Sequence, residues 1–233
     1  MQSERGKPAS GGAPTPTVED YVAVIYGMRN DAKPVTASQI GRRLAVSLPT
    51  VGATLRRMER DGLVVFQERR QIGLTSTGEH LAESMARRHR LVERLLTDIL
   101  GLGWQDVHEE AHRLEHAVSP RVEARLSEVL KHPSTCPHGN PIPGNATPSS
   151  APTLPLAHVP EGERVVVRRI TEDAESQDKL MGFLARNKIL PGCVLHVVEV
   201  ASFNGTMLVR SDGGDITIGL PAANEVWVER LGS

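Results

Sequence analysis

The chain has 233 residues, of which 39% are hydrophobic and 24% are charged, so it suits an ordinary soluble protein with room for two modest domains. Aromatic residues make up only 3% of the chain, which argues against a stacking surface for single-stranded nucleic acid, because such a surface needs several exposed rings. The formal net charge is −1, and any affinity for the phosphates of duplex DNA must therefore come from a local basic patch.

The two cysteines, Cys136 and Cys193, lie far apart in the sequence and form no C-x-x-C pair. They therefore indicate neither a thiolate zinc site nor a disulfide framework, and they favour a reducing compartment. No apolar run approaches the roughly 18 residues that a membrane span needs, and no secretion signal is visible. We predict a cytoplasmic protein without a membrane partner.

Composition also marks two segments that lack the pattern of regular structure. Residues 1–16 are rich in glycine, proline and serine, which predicts a disordered tail. Residues 133–160 are again rich in proline and glycine and predict a linker. Between these segments the pattern is helical, except for one β-like interval at Leu63–Thr75.

The first candidate functional feature is a pair of short helices joined by a tight turn. Thr36 and Gln39 have the spacing of a capping box, which predicts a helix from Ala37 to about Ala45. Ser47 can cap a second helix that ends near Asp61-Gly62. This pattern is typical of a helix-turn-helix, in which the first residues of the second helix meet base edges in the major groove. The predicted base-contacting residues are Ser47, Pro49 and Thr50.

The β-like interval that follows predicts a wing, that is, two short strands with a charged tip. Five arginines stand between Arg56 and Arg70 against three acidic residues, a local excess of positive charge that suits contact with phosphates. An alternative is that the arginines on the helix only solvate its outer face. The predicted phosphate-contacting residues are Arg57, Arg60, Arg69 and Arg70.

The second candidate feature is a set of histidines and carboxylates on two consecutive helices. Ser76 and Glu79 have capping-box spacing and open a long helix that Gly101 closes. On this helix His89 and Glu93 are four residues apart and so share a face. The next helix carries four potential ligands within an arc of roughly 100°. They are His108, His112, Glu115 and His116.

Imidazole nitrogens and carboxylate oxygens without a thiolate suit Mn(II), Fe(II), Co(II) or Zn(II). Two other functions stay open at this point. Residues 108–112 read H-E-x-x-H, the pattern of a zinc hydrolase, with Glu109 as general base and Glu128 as a third ligand. The other alternative is a metal-independent DNA-binding regulator in which the histidines and carboxylates are structural.

Beyond residue 160, five β-branched runs alternate with turn signals such as Pro191-Gly192 and Asn204-Gly205. These runs predict a small β-barrel of about 70 residues. They are Arg164–Ile170, Val194–Val200, Thr206–Val209, Asp215–Leu220 and Glu225–Val228.

In this order, the helix-turn-helix, the wing and the ligand helices resemble the diphtheria toxin repressor family, which includes iron-dependent and manganese-dependent transcriptional regulators. The similarity covers residues 17–143 closely, and the C-terminal region looks like the family's SH3-like domain. The matching stretches are Thr17–Tyr21, Pro49–Val51, Arg57–Val64, Leu74–Gly78, Arg88–Leu96, His108–His116 and Gly139–Pro143.

The resemblance implies a mainly α protein with β structure, in three domains. These are a winged helix-turn-helix DNA-binding domain over residues 17–78, a helical metal-binding and dimerisation domain over residues 79–132, and an SH3-like small β-barrel over residues 161–233.

The resemblance also implies two metal sites. Carried over position by position, one site consists of Asp20, His112, Glu115 and His116, and an ancillary site consists of His89, Glu93 and His108. In the family the C-terminal domain can add oxygen ligands to the ancillary site. Glu175, Gln177 and Asp178 match that pattern poorly and stay outside the predicted set.

The residue at position 20 bears on the identity of the metal. Iron-responsive members of the family place methionine and cysteine at the positions of Asp20 and His112, whereas manganese-responsive members use carboxylates at both. A hard carboxylate at Asp20 favours Mn(II), while His112 suits Fe(II), Zn(II) and Co(II) equally well. We expect Mn(II), with Fe(II) as the alternative and with Zn(II) or Co(II) binding in vitro.

The implied function is a metal-dependent repressor of metal-uptake genes rather than an enzyme. Metal is expected to draw Asp20 towards the distant ligand helix. This would fix the DNA-binding domains of a homodimer on a pseudo-palindromic DNA operator. By linkage, the operator would tighten metal binding by the same factor. Some apolar positions could form the dimer contacts or fill the core of the monomer. They include Leu91, Leu95, Leu114 and Val118.

Overall fold

The computed structural model describes residues 14–146 and 151–231, and the chain divides after Met85 into two compact units. The first unit contains a helix-turn-helix and a two-stranded wing, as predicted. Its elements are α1 (Pro16–Asn30), α2 (Ala37–Arg43), α3 (Leu48–Arg60), β1 (Val64–Phe66), β2 (Ile72–Leu74) and the first part of α4 (Ser76–Arg94).

The core of the first unit joins α1, α2 and α3. Ile25 of α1 and Ile40 of α2 are buried in one apolar cluster with residues of α3. On α3, Val51, Leu55 and Met58 repeat at helical spacing and are buried. The helix therefore turns one apolar face inward and leaves its charged face in solvent, and packing fixes the orientation of that outer face.

The N-termini of α2 and α4 differ from the predicted capping boxes. Thr36 makes no side-chain bond to the backbone of α2, and its hydroxyl donates instead to Oε1 of Gln39 at 2.9 Å. Helix α4 is capped by Thr75, whose Oγ1 accepts from a backbone amide three residues later at 3.1 Å. Glu79 takes no part in this cap because its carboxylate pairs with Arg29 at 2.5 Å. The spacing of Ser76 and Glu79 does not reveal that Arg29, on another helix, competes for the Glu79 carboxylate.

Helices open the second unit. Helix α4 runs into a five-residue π-helical turn (Leu95–Ile99), and the chain leaves it at Gly101, as predicted, with a φ of 71°. Such a left-handed conformation suits glycine at the end of a helix. Helices α5 (Val107–Glu115) and α6 (Pro120–Val129) follow. A small apolar core joins α4, the π-turn and α5, and it consists of Val92, Leu96, Val107 and Ala111.

The C-terminal part of the second unit is a six-stranded antiparallel sheet with the order β3-β8-β4-β5-β6-β7. All five predicted runs form strands. The strands are β3 (Thr153–Pro155), β4 (Arg164–Ile170), β5 (Val194–Ala201), β6 (Thr206–Ser211), β7 (Gly214–Gly219) and β8 (Val226–Arg230), and the short helices are α7 (Glu172–Glu175), α8 (Asp178–Arg186) and α9 (Leu220–Ala223).

The segment predicted as a linker, residues 133–160, contains ordered structure. Thr135 and Pro141 form a β-bridge, and β3 pairs with β8 at the edge of the sheet. A single 3-10 turn (Leu156–His158) buries Leu156 in the core of the sheet. The linker prediction is therefore wrong for these residues, because backbone partners distant in sequence order a proline-rich segment.

The other irregular segments are described only in part. Of the predicted tail, residues 1–13 lie outside the described residues, and Pro16 already begins α1. Residues 147–150 of the predicted linker also lie outside them. Over the described ranges, no helix is long and apolar enough to cross a membrane.

Candidate functional site

The N-terminal end of α3 presents the residues predicted to contact bases. Pro49 and Thr50 are exposed in its first turn, and Ser47 is its N-cap residue. The Ser47 hydroxyl accepts from the amide of Thr50 at 3.4 Å and lies 2.8 Å from the Thr50 hydroxyl. Arg57 and Arg60 are exposed further along the same helix. The first unit thus leaves all five predicted DNA-contacting residues of α3 accessible.

The wing carries the other two predicted phosphate-contacting residues at its tip. Strands β1 and β2 pair antiparallel, with Phe66 opposite Ile72. Arg69 and Arg70 lie between the strands, are exposed, and have φ values of 54° and 62°. A left-handed backbone costs a non-glycine residue about 1–2 kcal/mol. Strain of this kind is often kept at binding sites, so the conformation supports a functional role for the two arginines.

The first group of metal-binding side chains is the α5 cluster, which consists of His112, Glu115 and His116. Glu115 Oε1 lies 2.9 Å from His112 Nδ1 and 3.7 Å from His116 Nε2. Burial alone would raise the pKa of Glu115, but hydrogen bonds from His112 and His89 outweigh the effect of burial and lower that pKa to about 2. Glu115 is therefore an anion that offers its oxygens to a cation.

The second group is the four-donor cluster, which consists of His89, Glu93, His108 and Glu175. His89 Nε2 lies 3.1 Å from Glu93 Oε1 and 3.0 Å from His108 Nδ1. The same His108 nitrogen lies 2.9 Å from Glu175 Oε2. Burial lowers the pKa of His89, but the charges of Glu93 and Glu115 outweigh it and hold that pKa well above its ordinary value.

The third group, the thiol cluster, shares Glu93 and adds Cys136 and His138 from the turns after α6. His138 Nδ1 lies 3.3 Å from Glu93 Oε1 and 3.4 Å from Glu175 Oε1. The buried Glu93 Oε2 has no hydrogen-bond partner among the described residues. A buried polar atom without a partner costs about 1–3 kcal/mol. A cation bound at this oxygen would remove that cost, so the donors fit a metal ion.

Hydrogen bonds from buried residues hold Glu175 at these clusters. Asn140 donates through Nδ2 to Glu175 Oε1 at 2.6 Å and to the carbonyl of Ile170 at 2.9 Å. Arg90, which is also buried, pairs with Glu172 at the start of α7. The sheet domain therefore supplies a carboxylate to donors that come from α4 and α5.

Family models match successive parts of the chain. Residues 14–72 match the iron dependent repressor N-terminal DNA binding domain, residues 75–144 match the iron dependent repressor metal binding and dimerisation domain, and residues 154–230 match the FeoA domain. The diphtheria toxin repressor of Corynebacterium diphtheriae is 50% identical over 225 residues, which are 92% of this chain and 97% of that protein. The chain belongs to the diphtheria toxin repressor family.

Other members of the diphtheria toxin repressor family are similar over almost the same length. The iron-dependent repressor IdeR of Mycobacterium leprae is 36% identical and covers 92% of this chain and 97% of its own. A manganese-dependent transcriptional repressor in complex with manganese has a TM-score of 0.84 at 33% identity, covering 92% of this chain and all of that one. ScaR with bound Zn²⁺ has a TM-score of 0.79 at 27% identity, covering 94% of this chain and all of that one.

Membership in the family confirms the predicted fold class and function class. The chain is a metal-dependent, DNA-binding transcriptional repressor with a winged helix-turn-helix domain, a helical metal-binding and dimerisation domain and an SH3-like FeoA domain. It is not an enzyme, because the members of the family to which it belongs are transcriptional repressors.

The geometry of the repressor also argues against the zinc-hydrolase alternative. His108 belongs to the four-donor cluster and His112 to the α5 cluster, so the two histidines of the H-E-x-x-H pattern serve different groups. Glu109 is exposed and pairs with Arg113 at 3.6 Å. Glu128, the conceivable third ligand, is exposed on α6 and forms an ion pair there with Arg125. The pattern therefore lacks the arrangement of a hydrolytic zinc site.

In the second unit the predicted ligands lie in two groups, and their role as ligands stays a prediction. His112, Glu115 and His116 are together, and so are His89, Glu93 and His108. Asp20 lies half-buried on α1 of the first unit, and its assignment to the α5 cluster stays a prediction.

Three candidate ligands were absent from the predicted set. Glu175 matches the family's ancillary pattern poorly in sequence, although its Oε2 lies 2.9 Å from His108 Nδ1. Cys136 and His138 lie outside the predicted set because C-x-x-C spacing does not detect one thiol that joins a histidine and a carboxylate. The Cys136-Pro-His138 spacing beside Gly139 and Asn140 was the available signal.

Proposed function

We propose that this repressor binds a pseudo-palindromic operator of metal-uptake genes as a homodimer when Mn(II) is bound. The observation that carries the proposal is the buried set of histidines and carboxylates between α4, α5 and α7. One of its atoms, the buried Glu93 Oε2, has no hydrogen-bond partner among the described residues. Such an atom is expected where a metal completes the site.

The proposed ligands follow the predicted sites, with one addition. Asp20, His112, Glu115 and His116 would hold one ion, and His89, Glu93, His108 and Glu175 would hold another. When bound, the ion supplies positive charge and a fixed coordination geometry. The protein supplies anionic carboxylates, histidine orientation and a largely buried pocket, in which the side chain of Glu93 is fully buried and that of Glu175 is 2% exposed.

The donor types favour Mn(II). Oxygen and imidazole donors suit Mn(II) and Fe(II), and Asp20 adds a hard oxygen ligand to the α5 cluster. A similar structure is named as a manganese-dependent repressor, which supports this choice, whereas the similar IdeR proteins are named as iron-dependent. Fe(II) is the second candidate, and Zn(II) or Co(II) would bind in vitro. Burial and the charge of Glu93 raise the pKa of the Cys136 thiol to about 11, which disfavours a thiolate ligand before metal arrives.

The first unit explains how a ligand on α1 would act on DNA binding. Asp20 lies on α1, and α1 packs through Ile25 against Ile40 of α2 and Leu55 of α3. A metal that fixes α1 would therefore fix the orientation of α3, because the three helices share one rigid core. Two copies must place their recognition helices one turn of DNA apart. A fixed orientation of α3 therefore raises the affinity of the homodimer for its operator.

Exposed apolar residues on the helices of the second unit support a homodimer. Leu114 is 44% exposed on α5, and Ile99 and Leu100 are 56% and 59% exposed at the end of the π-turn. A second copy is the proposed occupant because these residues lie within the match to the metal binding and dimerisation domain. Of the earlier candidates, Leu91 is fully buried and belongs to the monomer. Val118 packs partly buried against the small core of α4 and α5.

The test is a binding titration with a fluorescent promoter fragment from a metal-transporter gene. Anisotropy is measured in chelator and then with Mn(II), anaerobic Fe(II) or Zn(II). We expect tight binding only with metal, and the ion active at the lowest free concentration is the leading physiological candidate. Equal affinity in chelator would overturn the proposal.

Two variants sharpen this titration. His116→Ala removes a proposed ligand of the α5 cluster and should abolish the response to metal. Glu109→Gln is the matched control, because Glu109 is exposed on the same helix and belongs to none of the three clusters. A metal-dependent response that survives in His116→Ala would contradict the assignment of the α5 cluster.

A further inference from the structure

Arg56 lies on the outer face of α3, the recognition helix, and has no predicted role in contacts with DNA. At about 100° per residue, Arg56, Pro49 and Ala53 fall within an arc of about 60°. This arc is opposite the buried face of the helix, and all three residues are exposed. Arg56 therefore shares a face with Pro49, which is predicted to contact bases.

The guanidinium of Arg56 extends back towards the start of the helix. A Cβ placed on Gly52 would lie 3.9 Å from Nη1 and 4.0 Å from Nη2 of Arg56, so both nitrogens lie close to the backbone of Gly52. Helical side chains lean towards the N-terminus, and glycine leaves room for the long side chain one turn earlier. The guanidinium is thereby carried about 6 Å along the helix axis, towards the turn that meets base edges.

The charge of Arg56 has no partner within the described part of the protein. No carboxylate of the described residues pairs with it, and its side chain is exposed. Other exposed arginines do form ion pairs on their own helices, as Arg113 does with Glu110 at 2.6 Å and Arg125 does with Glu128. The donors of the Arg56 guanidinium are therefore available to an acceptor outside the chain.

The other exposed residues near the start of α3 carry few groups that can distinguish base pairs. Leu48 and Ala53 present only apolar atoms, and the hydroxyls of Ser47 and Thr50 lie 2.8 Å from each other. A hydroxyl can bond to several bases, whereas an arginine bonds to O6 and N7 of guanine together in the major groove. Between positions 47 and 56, which the structure describes in full, only Arg56 can make such a bidentate contact.

We propose that Arg56 recognises one guanine in each half-site of the operator by donating hydrogen bonds to its O6 and N7. This inference rests on the operator binding proposed above and adds a residue that determines sequence specificity. Arg57 and Arg60 keep their predicted contacts with phosphates, which position a helix without carrying sequence information. A phosphate contact by Arg56 would weaken binding to all sequences alike when it is lost, so the two roles give different results.

The first experiment is a selection of tight-binding duplexes from a random-sequence pool. The full chain and Arg56→Ala select in parallel with Mn(II), and the enriched pools are sequenced. We expect the unaltered chain to enrich one guanine per half-site and Arg56→Ala to lose that preference while keeping the other positions. Arg60→Ala, also exposed on α3, is the matched control and should lower affinity without changing the selected sequence. The same guanine preference in both proteins would overturn the proposal.

A second measurement removes single atoms from that guanine in a selected duplex. 7-Deazaguanine lacks the N7 acceptor, whereas hypoxanthine keeps O6 and N7 and lacks only the amino group in the minor groove. By anisotropy, 7-deazaguanine should weaken binding of the unaltered chain about 10-fold, and hypoxanthine should change it little. Arg56→Ala should lose no further affinity with 7-deazaguanine. An equal loss in both proteins would show that another group contacts N7 and would overturn the proposal.

Two further results separate the possible failures. Arg56→Ala should unfold at the temperature of the unaltered chain or above it, because the side chain is exposed and alanine favours a helix. If no duplex is enriched with Mn(II) relative to chelator, the proposed function fails, and the role of Arg56 fails with it. If duplexes are enriched but their guanines are the same with Arg56→Ala, only the role of Arg56 fails.

Discussion

The DNA-reading surface and the metal clusters of this repressor are built in different ways. The reading surface comes from one short stretch, Ser47 to Arg70, in which a helix cap, an amphipathic helix and a hairpin follow each other. The four-donor cluster draws its ligands from α4, α5 and α7, and the thiol cluster adds the turns after α6. A local motif therefore presents the predicted DNA-contacting residues, whereas the candidate metal donors meet only after the second unit has folded.

The largest effect should come from Glu93, which is fully buried and belongs to both the four-donor cluster and the thiol cluster, together called the inner clusters. Glu93→Gln keeps the shape of the side chain but removes its charge from beside His89, His108 and His138. We expect Mn(II) affinity to fall by roughly 100-fold or more and metal-dependent operator binding to be lost with it. Equilibrium dialysis with metal analysis measures the affinity. Wild-type affinity would show that neither inner cluster binds the ion, and Glu110→Gln serves as the control.

The next largest effect should be a loss of stability that is confined to the first unit. A Cβ on Gly78 would lie 1.9 Å from the carbonyl oxygen of Leu63. Any side chain at position 78 would therefore force α4 away from the start of the wing. Gly78→Ala should destabilise the first unit by about 1–3 kcal/mol. Thermal unfolding followed by circular dichroism measures the loss. Mn(II) binding to the inner clusters should persist below the transition, and its disappearance there would show that the clusters depend on the first unit.

Replacement of both wing-tip arginines should change stability and affinity in opposite directions. Arg69→Gly with Arg70→Gly relieves two left-handed non-glycine conformations and should stabilise the first unit by up to about 1 kcal/mol. The same variant would lose two predicted phosphate contacts per protomer and four per homodimer, so the dependence of log K on log salt should become shallower by about 4. An unchanged salt dependence would mean that the wing does not touch the phosphates. Arg125→Gly, in the second unit, is the comparison variant.

The smallest effect concerns the cap of the recognition helix. Ser47→Ala removes the acceptor for the amide of Thr50 and should cost about 1 kcal/mol of stability. Ser119→Ala is a matched control, because Ser119 caps α6 in the same way but belongs to the second unit, which carries none of the predicted DNA contacts. Both variants should lose similar stability in denaturant titrations, and only Ser47→Ala should weaken operator binding. Equal operator affinity in the two variants would remove Ser47 from the DNA contacts.

Much of the architecture was predictable because its signals are local. Ser47, Asp61-Gly62 and the alternation around Val64 and Ile72 determine helix ends and strands through hydrogen bonds between near neighbours. The proximity of the candidate ligands on α4 and α5 was predictable for the same reason, since helical spacing alone places His89 with Glu93 and His112 with Glu115 and His116.

Local sequence signals were enough to predict the class of protein, the recognition helix and the donors that one helix turn brings together. The meeting of Glu175, Cys136 and His138 with Glu93, and the division of His108 and His112 between two clusters, could not be predicted in this way. These contacts form only when α7 and the turns after α6 pack on α4. That packing is fixed by Arg90 and Asn140, whose partners lie far along the chain.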